Sequence, residues 1–347
     1  MSPDRRHFVL ALSAGLTAAT LAACHKSILG PGHFDPKVMD KGFPPLAGRA
    51  RPGVFAAAVM DLRTQATWYW NVDKLFPLGG LAALPIAAAL LAEVDARRVA
   101  LTEKITVRDV DLSPPYSLIG QSWRSSPASF AMNITIQDLL ALSVQYGDNT
   151  ATDVLLSRAG GPGAVTAWLK DKGIIGLRVD RFAREIGVEA SGMEPFRPAW
   201  RTAQAFQAAQ KAVPVTDRQR AMEAYVADPR DTTSAQAMMS FLFKLSGGQL
   251  TAKPTSDLLL KLMTPGGNAL GAMGAAWPGK SAWAHAVGAP HSDLGFTPVQ
   301  NDAGLVTLPD GRRFAVAALL AGSTASEAQR AQLFADTARL MVKAFDA

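Results

Sequence analysis

The spacing of hydrophobic positions changes twice along the chain. A continuous apolar run at 54–60 is followed by the polar segment 61–65 and an aromatic run at 66–70, a pattern that predicts a β-hairpin. From about residue 78 to about residue 280 the apolar positions follow helical spacing. Strand-like runs and a long closing helix then follow, at 282–287, 302–308, 314–320 and 325–347.

The middle of the chain predicts a series of helices separated by glycine and polar breaks. Thr135 opens one helix in a capping-box pattern with Asp138, and the glycine-rich turn 160–163 ends another. The predicted helices cover 79–99, a segment that starts at 135, 148–159, 164–172, 199–213, 218–227, 233–245 and 256–263. This order predicts an α+β fold, in which an antiparallel sheet from both chain ends carries an inserted, mainly helical lobe at 78–280. A cleft between sheet and lobe is the expected ligand site.

The first residues predict an export signal. Arg5 and Arg6 precede an uncharged stretch at 8–23, which is shorter than the ~20 residues that a membrane-spanning helix needs. Its end, Leu21-Ala22-Ala23-Cys24, resembles a bacterial lipobox, and residues 4–9 resemble a twin-arginine export motif. We expect a signal peptide at 1–23, lipidation of Cys24, and a membrane-anchored lipoprotein on the periplasmic or cell-envelope face. An ordinary signal peptide with an incidental cysteine is the alternative.

The segment that follows Cys24 predicts a flexible tether. Residues 24–50 are rich in glycine, proline and lysine and show little hydrophobic periodicity. The folded domain is therefore expected at 51–347, lifted away from the membrane by the tether.

Composition and charge exclude several classes of function. The chain has 35 Lys+Arg against 29 Asp+Glu, and the basic residues are scattered, so no nucleic-acid partner is expected. The sequence has a single cysteine, which excludes an intramolecular disulfide and any site built from several cysteines. His25, His33 and His291 lack the spacing of metal ligands. We therefore expect neither a metal nor another cofactor.

Several stretches, in order, resemble the class A serine β-lactamases and their penicillin-recognising relatives. Residues 73–78 resemble the entry to the nucleophile helix of that family, and 84–91 resemble its body. The other stretches match the Ser-Asp-Asn loop, the approach to and exit from the Ω-loop, and the final strands, and they lie at 146–151, 177–181, 230–233, 301–302 and 308–311. The resemblance covers nearly all of residues 51 to 345 and implies the α+β fold already predicted.

The resemblance also implies that the family's catalytic side chains are missing. The nucleophilic serine, its lysine, the Ser-Asp-Asn serine, the Ω-loop glutamate and the Lys-Thr-Gly lysine fall at Gly80, Ala83, Gly147, Ala183 and His285, respectively. A glycine has no atom that can attack a carbonyl carbon. Ser117, Ser122, Ser125 and Ser126 lack a lysine three residues on, so none is expected to replace the nucleophile.

A set of residues could still bind a ligand without turnover: Gly80, Tyr116, Asn149, His285 and Gly288. The backbone amides of the two glycines could form an oxyanion-hole-like pair. A structural role is the alternative for His285 and for Asn149, and it is the expected role of Asp148. A long insert at about 187–228, which extends the Ω-loop, is a lid, a docking surface or an embellishment that buries its own aromatic residues.

Three hypotheses follow. The first is a catalytically inactive β-lactamase-like envelope lipoprotein that binds a β-lactam-like or peptidoglycan-derived ligand, or an envelope protein. The second is an active hydrolase with relocated catalytic groups, and the third is a structural envelope lipoprotein. If the cleft at Gly80 is open, the changes Gly80→Ser and Ala83→Lys should restore acylation.

Overall fold

Strands from the two ends of the chain form one antiparallel sheet. The computed structural model describes residues 34–123, 131–264, 271–288 and 292–346. Within these ranges, five strands pair in the order β2-β1-β9-β8-β7. They are β1 Val54–Asp61, β2 Thr67–Trp70, β7 Ala282–Gly288, β8 Thr297–Thr307 and β9 Arg313–Ser323. The predicted fold class is confirmed.

The central strands β1 and β9 are apolar on both faces because helices cover both sides of the sheet. Their register runs from Val54 opposite Ala321 to Asp61 opposite Phe314. The Asp61 carboxylate accepts hydrogen bonds from the backbone of Arg63 at 2.8 Å and so closes the predicted β1–β2 hairpin.

One face of the sheet carries α1 Pro36–Gly48, α12 Gly271–Gly274 and α13 Glu327–Phe345. The prediction of a tether is therefore wrong for the part of 24–50 that forms α1. Met39 and Phe43 lie four residues apart on one face of that helix and are completely buried in the core beside α13. Asp35 caps the helix by accepting from the backbone of Lys37 at 2.9 Å.

The opposite face of the sheet packs against the helical lobe. The buried centre of the lobe is α2 Ala83–Asp95, which follows a short 3-10 turn at Gly79–Ala82. The other helices of this part of the chain are α3 Leu118–Trp123, α4 Ile136–Tyr146, α5 Asn149–Arg158, α6 Pro162–Asp171, α7 Ala183–Glu189, α8 Ala203–Ala212, α9 Val215–Ala227, α10 Ala235–Ser246 and α11 Lys253–Leu262. Two small ribbons join them: β3 Phe76–Pro77 with β6 Thr232–Thr233, and β4 Lys104–Arg108 with β5 Ala131–Thr135.

The predicted export signal and the lipidation site at Cys24 lie outside the described residues. Within the described ranges, no helix combines the length and the apolar character that crossing a bilayer requires. Over the same ranges, no group of three or more His, Cys, Asp or Glu side chains is arranged to hold a metal ion.

Candidate functional site

The floor of the predicted cleft is the turn that holds Gly80. A Cβ atom built on Gly80 would lie less than 3.0 Å from the backbone carbonyl oxygen of Val287, a distance that real Cβ atoms essentially never show. The same atom would be 3.5 Å from Cα of Gly288. Strand β7 therefore occupies the space that a side chain at position 80 would need, although the glycine backbone itself stays exposed.

Asn301 of β8 fastens this turn to the sheet. Its side-chain amide donates to the carbonyl oxygens of Pro77 at 2.8 Å and Leu78 at 3.1 Å, and the side chain is buried. A Cβ on Gly288 would lie 3.1 Å from the Leu78 carbonyl oxygen. The structure thus brings Gly80 and Gly288 together, as predicted, but through tight backbone packing.

The lysine position holds no polar group. Ala83 begins α2 and is buried among the apolar side chains of the lobe.

The Ω-loop helix α7 is anchored by Asp153 of α5, a residue that sequence reasoning missed. Its carboxylate accepts from the backbone amide of Ala183 at 2.6 Å and from the hydroxyl of Ser113 at 2.6 Å. Burial raises the pKa of Asp153 to about 6, against these hydrogen bonds, which lower it. Glu185 accepts from the Phe182 amide at 2.9 Å and so caps the helix. Both carboxylates therefore hold the start of α7 in place.

Hydrogen bonds of Asp148 hold the loop at Gly147 in place. Gly147 ends α4 with a left-handed φ of 65° and is exposed. The buried carboxylate of Asp148 accepts from the Ser117 hydroxyl at 3.1 Å and from the Ala151 amide at 2.9 Å, which confirms its predicted structural role. Ser117 is therefore engaged as a donor to a carboxylate.

Asn149 braces the neighbouring loop. Its side chain donates to the carbonyl oxygen of Pro114 at 3.3 Å, and its backbone amide donates to the carbonyl oxygen of Tyr116 at 3.0 Å. Tyr116 itself is 47% exposed. Of the predicted ligand contacts, Tyr116 thus offers an exposed side chain at the rim, whereas the amide of Asn149 already has a partner.

The insert packs into the cleft region through two aromatic side chains. Phe206 of α8 is buried, and a Cβ on Gly187 would touch its ring at 3.4 Å. Tyr225 of α9 is buried beside Val299 of β8, and its hydroxyl group meets the backbone of Gly79. Burial raises the pKa of Tyr225, so the phenol remains neutral behind the turn that holds the nucleophile position.

A half-buried ion pair joins the insert to the loop after β7. Arg218 of α9 contacts Asp293 at 2.6 Å, with side-chain exposures of 12% and 21%. The insert therefore contacts the Ω-loop helix, strand β8 and the β7–β8 loop. These contacts favour a fixed cover of the cleft over a free docking surface or a self-contained embellishment.

The entry and exit of the Ω-loop meet at Arg181. Its buried guanidinium contacts Asp231 at 2.6 Å and Asp228 at 3.1 Å, and it also reaches Glu189. Asp231 additionally accepts from the backbone amide of Asp180 at 2.6 Å. These contacts close the neck of the loop from which the insert extends.

The comparison with known proteins gives the family. The profile of the β-lactamase enzyme family matches residues 45–345. The chain belongs to this family. The β-lactamase VEB-1 of Pseudomonas aeruginosa is 25% identical over 85% of each chain. A β-lactamase of Rhodobacter capsulatus is 30% identical over a match that spans 40% of this chain and 44% of that protein.

Solved structures of the family share the fold. A β-lactamase from Chitinophaga pinensis superposes with a TM-score of 0.71 at 23% identity, covering 89% of this chain and 99% of that one. The last common ancestor of Gram-negative bacteria class A β-lactamase gives a TM-score of 0.69 at 25% identity, with coverage of 89% and 99%. This β-lactamase fold is therefore class A-like along nearly the whole domain.

The structure shows on which face of β7 the side chain of His285 lies. Alternate residues of a strand share a face, and the ring of His285 stacks on that of Trp283, at 5.0 Å, on the face covered by α13. Ala286 instead lies in the core that faces the lobe. The side chain of His285, which was assigned to the lysine of the Lys-Thr-Gly motif, therefore points away from the lobe.

His285 is consequently a structural residue in this β-lactamase fold. It is 7% exposed, and its Nδ1 lies 2.7 Å from the Asp302 carboxylate. Burial raises the pKa of Asp302, and the hydrogen bond with His285 opposes this shift. The imidazole therefore pairs within the sheet and does not offer an anion-binding group to the cleft.

A cavity of about 370 Å³ lies at the rim between the 114–121 segment and the insert. None of the five catalytic positions inferred from sequence lines it; its lining residues are Pro114, Pro115, Ser117, Gly120, Gln121, Arg201 and Ala203. This space therefore lies beside the catalytic floor.

Proposed function

We propose that this member of the β-lactamase family is catalytically inactive. The observation that carries the proposal is the contact between Gly80 and strand β7. Position 80 lacks a hydroxyl, and the Val287 carbonyl oxygen occupies the place where the side chain would project. Acylation through a serine needs both the hydroxyl and a free approach for the substrate carbonyl.

The rest of the machinery supports the same conclusion. Ala83 supplies no base for a nucleophile, and Ala183 supplies none for a deacylating water. Asp153, the buried carboxylate nearest to the Ω-loop helix, is committed to Ser113 and to the backbone. Relocated catalysis would need a nucleophile with a base at hydrogen-bond distance, and the Ser117–Asp148 pair instead holds a loop together.

We further propose that the chain serves in the cell envelope as a lipoprotein that presents this fold to a protein partner. The Leu-Ala-Ala-Cys ending at Cys24 supports a lipid anchor and export. A protein partner is favoured over a β-lactam-like or peptidoglycan-derived ligand because Gly80 has no side chain and the Val287 carbonyl oxygen occupies the space where one would project. A purely structural envelope role is the second candidate, and the same contact between Val287 and position 80 favours it.

Hydrolysis of a chromogenic cephalosporin tests the loss of activity. The purified chain should give no turnover above the buffer rate, whereas VEB-1 assayed in parallel should hydrolyse the probe. Turnover that survives repurification and tracks with the protein peak would refute the proposal and support relocated catalytic groups.

Metabolic labelling with a fatty acid tests the anchor. The wild-type chain should incorporate the label at Cys24, and Cys24→Ser should not. Equal labelling of both chains would show that the cysteine is incidental.

A further inference from the structure

A second cavity lies on the side of the domain formed by α1 and α13. It has a volume of about 380 Å³ and is lined by Arg49, Arg51, Thr324, Ala325 and Gln329. The two arginines follow the end of α1, and the other three residues span the turn from β9 into α13. Two cationic side chains and no acidic one therefore line this hollow.

The two arginines in the lining have N–H groups that make no hydrogen bond within the described ranges. Arg49 contacts Asp336 at 2.7 Å through one terminal nitrogen, and its side chain is 40% exposed. Asp336 also accepts from Arg339 at 2.7 Å, so one carboxylate is shared by two guanidinium groups. Within the described ranges, the side chain of Arg51 makes no hydrogen bond and no ion pair, and it is exposed. Each guanidinium has five N–H donors, so most of them are available to a ligand.

A third arginine lies buried behind the cavity. Arg330 of α13 is 5% exposed and donates to the side-chain oxygen of Gln300 at 2.7 Å and to the carbonyl oxygen of Ala325, which lines the cavity. Both acceptors are neutral, and no carboxylate within the described ranges contacts this guanidinium. Burial lowers the pKa of Arg330, as expected for a cation that is poorly compensated.

We propose that this cavity binds a phosphate group, held by Arg49 and Arg51 and balanced by the buried charge of Arg330. The planar guanidinium fork matches phosphate oxygens in paired hydrogen bonds. A bound dianion would add negative charge beside Arg49, Arg51 and Arg330, of which only Arg49 contacts a carboxylate within the described ranges. The phosphate can belong to a free ion or to a lipid headgroup, and the site is independent of the lost catalytic function.

Titration calorimetry on the full-length exported chain, purified in a neutral detergent, tests the site. Inorganic phosphate should bind saturably at one site at constant ionic strength, and chloride should not compete. Arg51→Gln should weaken the affinity about tenfold, because it removes a charged hydrogen-bond donor. Arg63→Gln makes the same change of charge in the β1–β2 turn, at the other end of β1, and should leave the affinity unchanged.

Two further outcomes complete the test. A soluble short-chain phosphatidic acid that binds at least tenfold more tightly than inorganic phosphate, with the same loss in Arg51→Gln, would assign a lipid headgroup. Equal affinities would assign free phosphate. The absence of saturable binding to either probe, or equal losses in Arg51→Gln and Arg63→Gln, would overturn the proposal. Thermal unfolding of both variants without ligand checks that each remains folded.

Discussion

The neck of the Ω-loop and the floor of the cleft are built in opposite ways. At the neck, Arg181 keeps three carboxylate contacts and is almost completely buried. At the floor, the positions that would carry the chemistry hold only glycine or alanine, and the strand backbone fills the space beside Gly80. The chain thus has the charged network that shapes the loop but has no reactive side chains at the floor. The fold is therefore formed with an intact charged neck and without polar side chains at positions 80 and 83.

The insert links these two regions. It leaves the Ω-loop next to the Arg181 network and returns through α9, whose Tyr225 packs behind Gly79. The insert therefore packs against the back of the turn that holds Gly80, and a change in one of them should alter the packing of the other.

The largest expected effect is at the neck. Arg181→Ala would leave Asp231, which is 2% exposed, without its cation, so we expect a loss of about 3–5 kcal/mol in the free energy of unfolding. Urea denaturation measures this loss. Arg230→Ala is the matched control, because its side chain is 47% exposed and its ion pairs should contribute less than about 1 kcal/mol. Equal losses in the two variants would contradict the distinction.

The contribution of Asp153 to the stability of the folded chain should depend on pH. Its pKa of about 6 in the folded chain lies above the usual 3.8, so the folded state binds the proton more tightly than the unfolded state. Its contribution to stability is therefore present below about pH 4 and is lost as the pH rises to 6, by up to about 3 kcal/mol. Asp153→Asn, a neutral isostere, should be more stable than wild type at pH 7.5 and equal to it near pH 4. A difference that does not change with pH would refute this account of Asp153.

The smallest effect is expected at the floor. Gly80→Ser forces a Cβ against the Val287 carbonyl oxygen, which should cost about 1–3 kcal/mol as β7 moves aside. Gly163→Ala is the control, because a Cβ there meets open space within α6 and should stabilise the helix by about 0.5–1 kcal/mol. The double change Gly80→Ser with Ala83→Lys, which an open cleft would allow to restore acylation, is now expected to give none. An unchanged unfolding midpoint in Gly80→Ser would show that the cleft is open.

Much of the fold could be predicted from sequence because its signals are local. The apolar run of β1 and the cap at Thr135 each depend on adjacent residues, and the structure confirms them. Helix α1 was missed because Pro44 and Pro45 outweighed the spacing of Met39 and Phe43, whose burial depends on α13 at the other end of the chain.

The state of the site could not be predicted, because it depends on contacts between distant segments. The glycine and alanine residues are visible in the sequence. The carbonyl oxygen that occupies the side-chain space at Gly80, however, belongs to Val287, about 200 residues later. No sequence motif predicts the role of Asp153, because it accepts from a backbone amide of the Ω-loop helix. The alternation of β7 could have shown that His285 and Ala286 face opposite sides, but only the observed cores say which side faces the lobe.

Intact-protein mass spectrometry after incubation with a penicillin tests the central claim most directly. The wild-type chain should keep its mass at every penicillin concentration, because Gly80 has no nucleophile and the Val287 carbonyl oxygen occupies the space of a side chain there. A stoichiometric increase equal to the mass of the penicillin would contradict this account, and peptide mapping of the adduct would locate the nucleophile that performs the reaction.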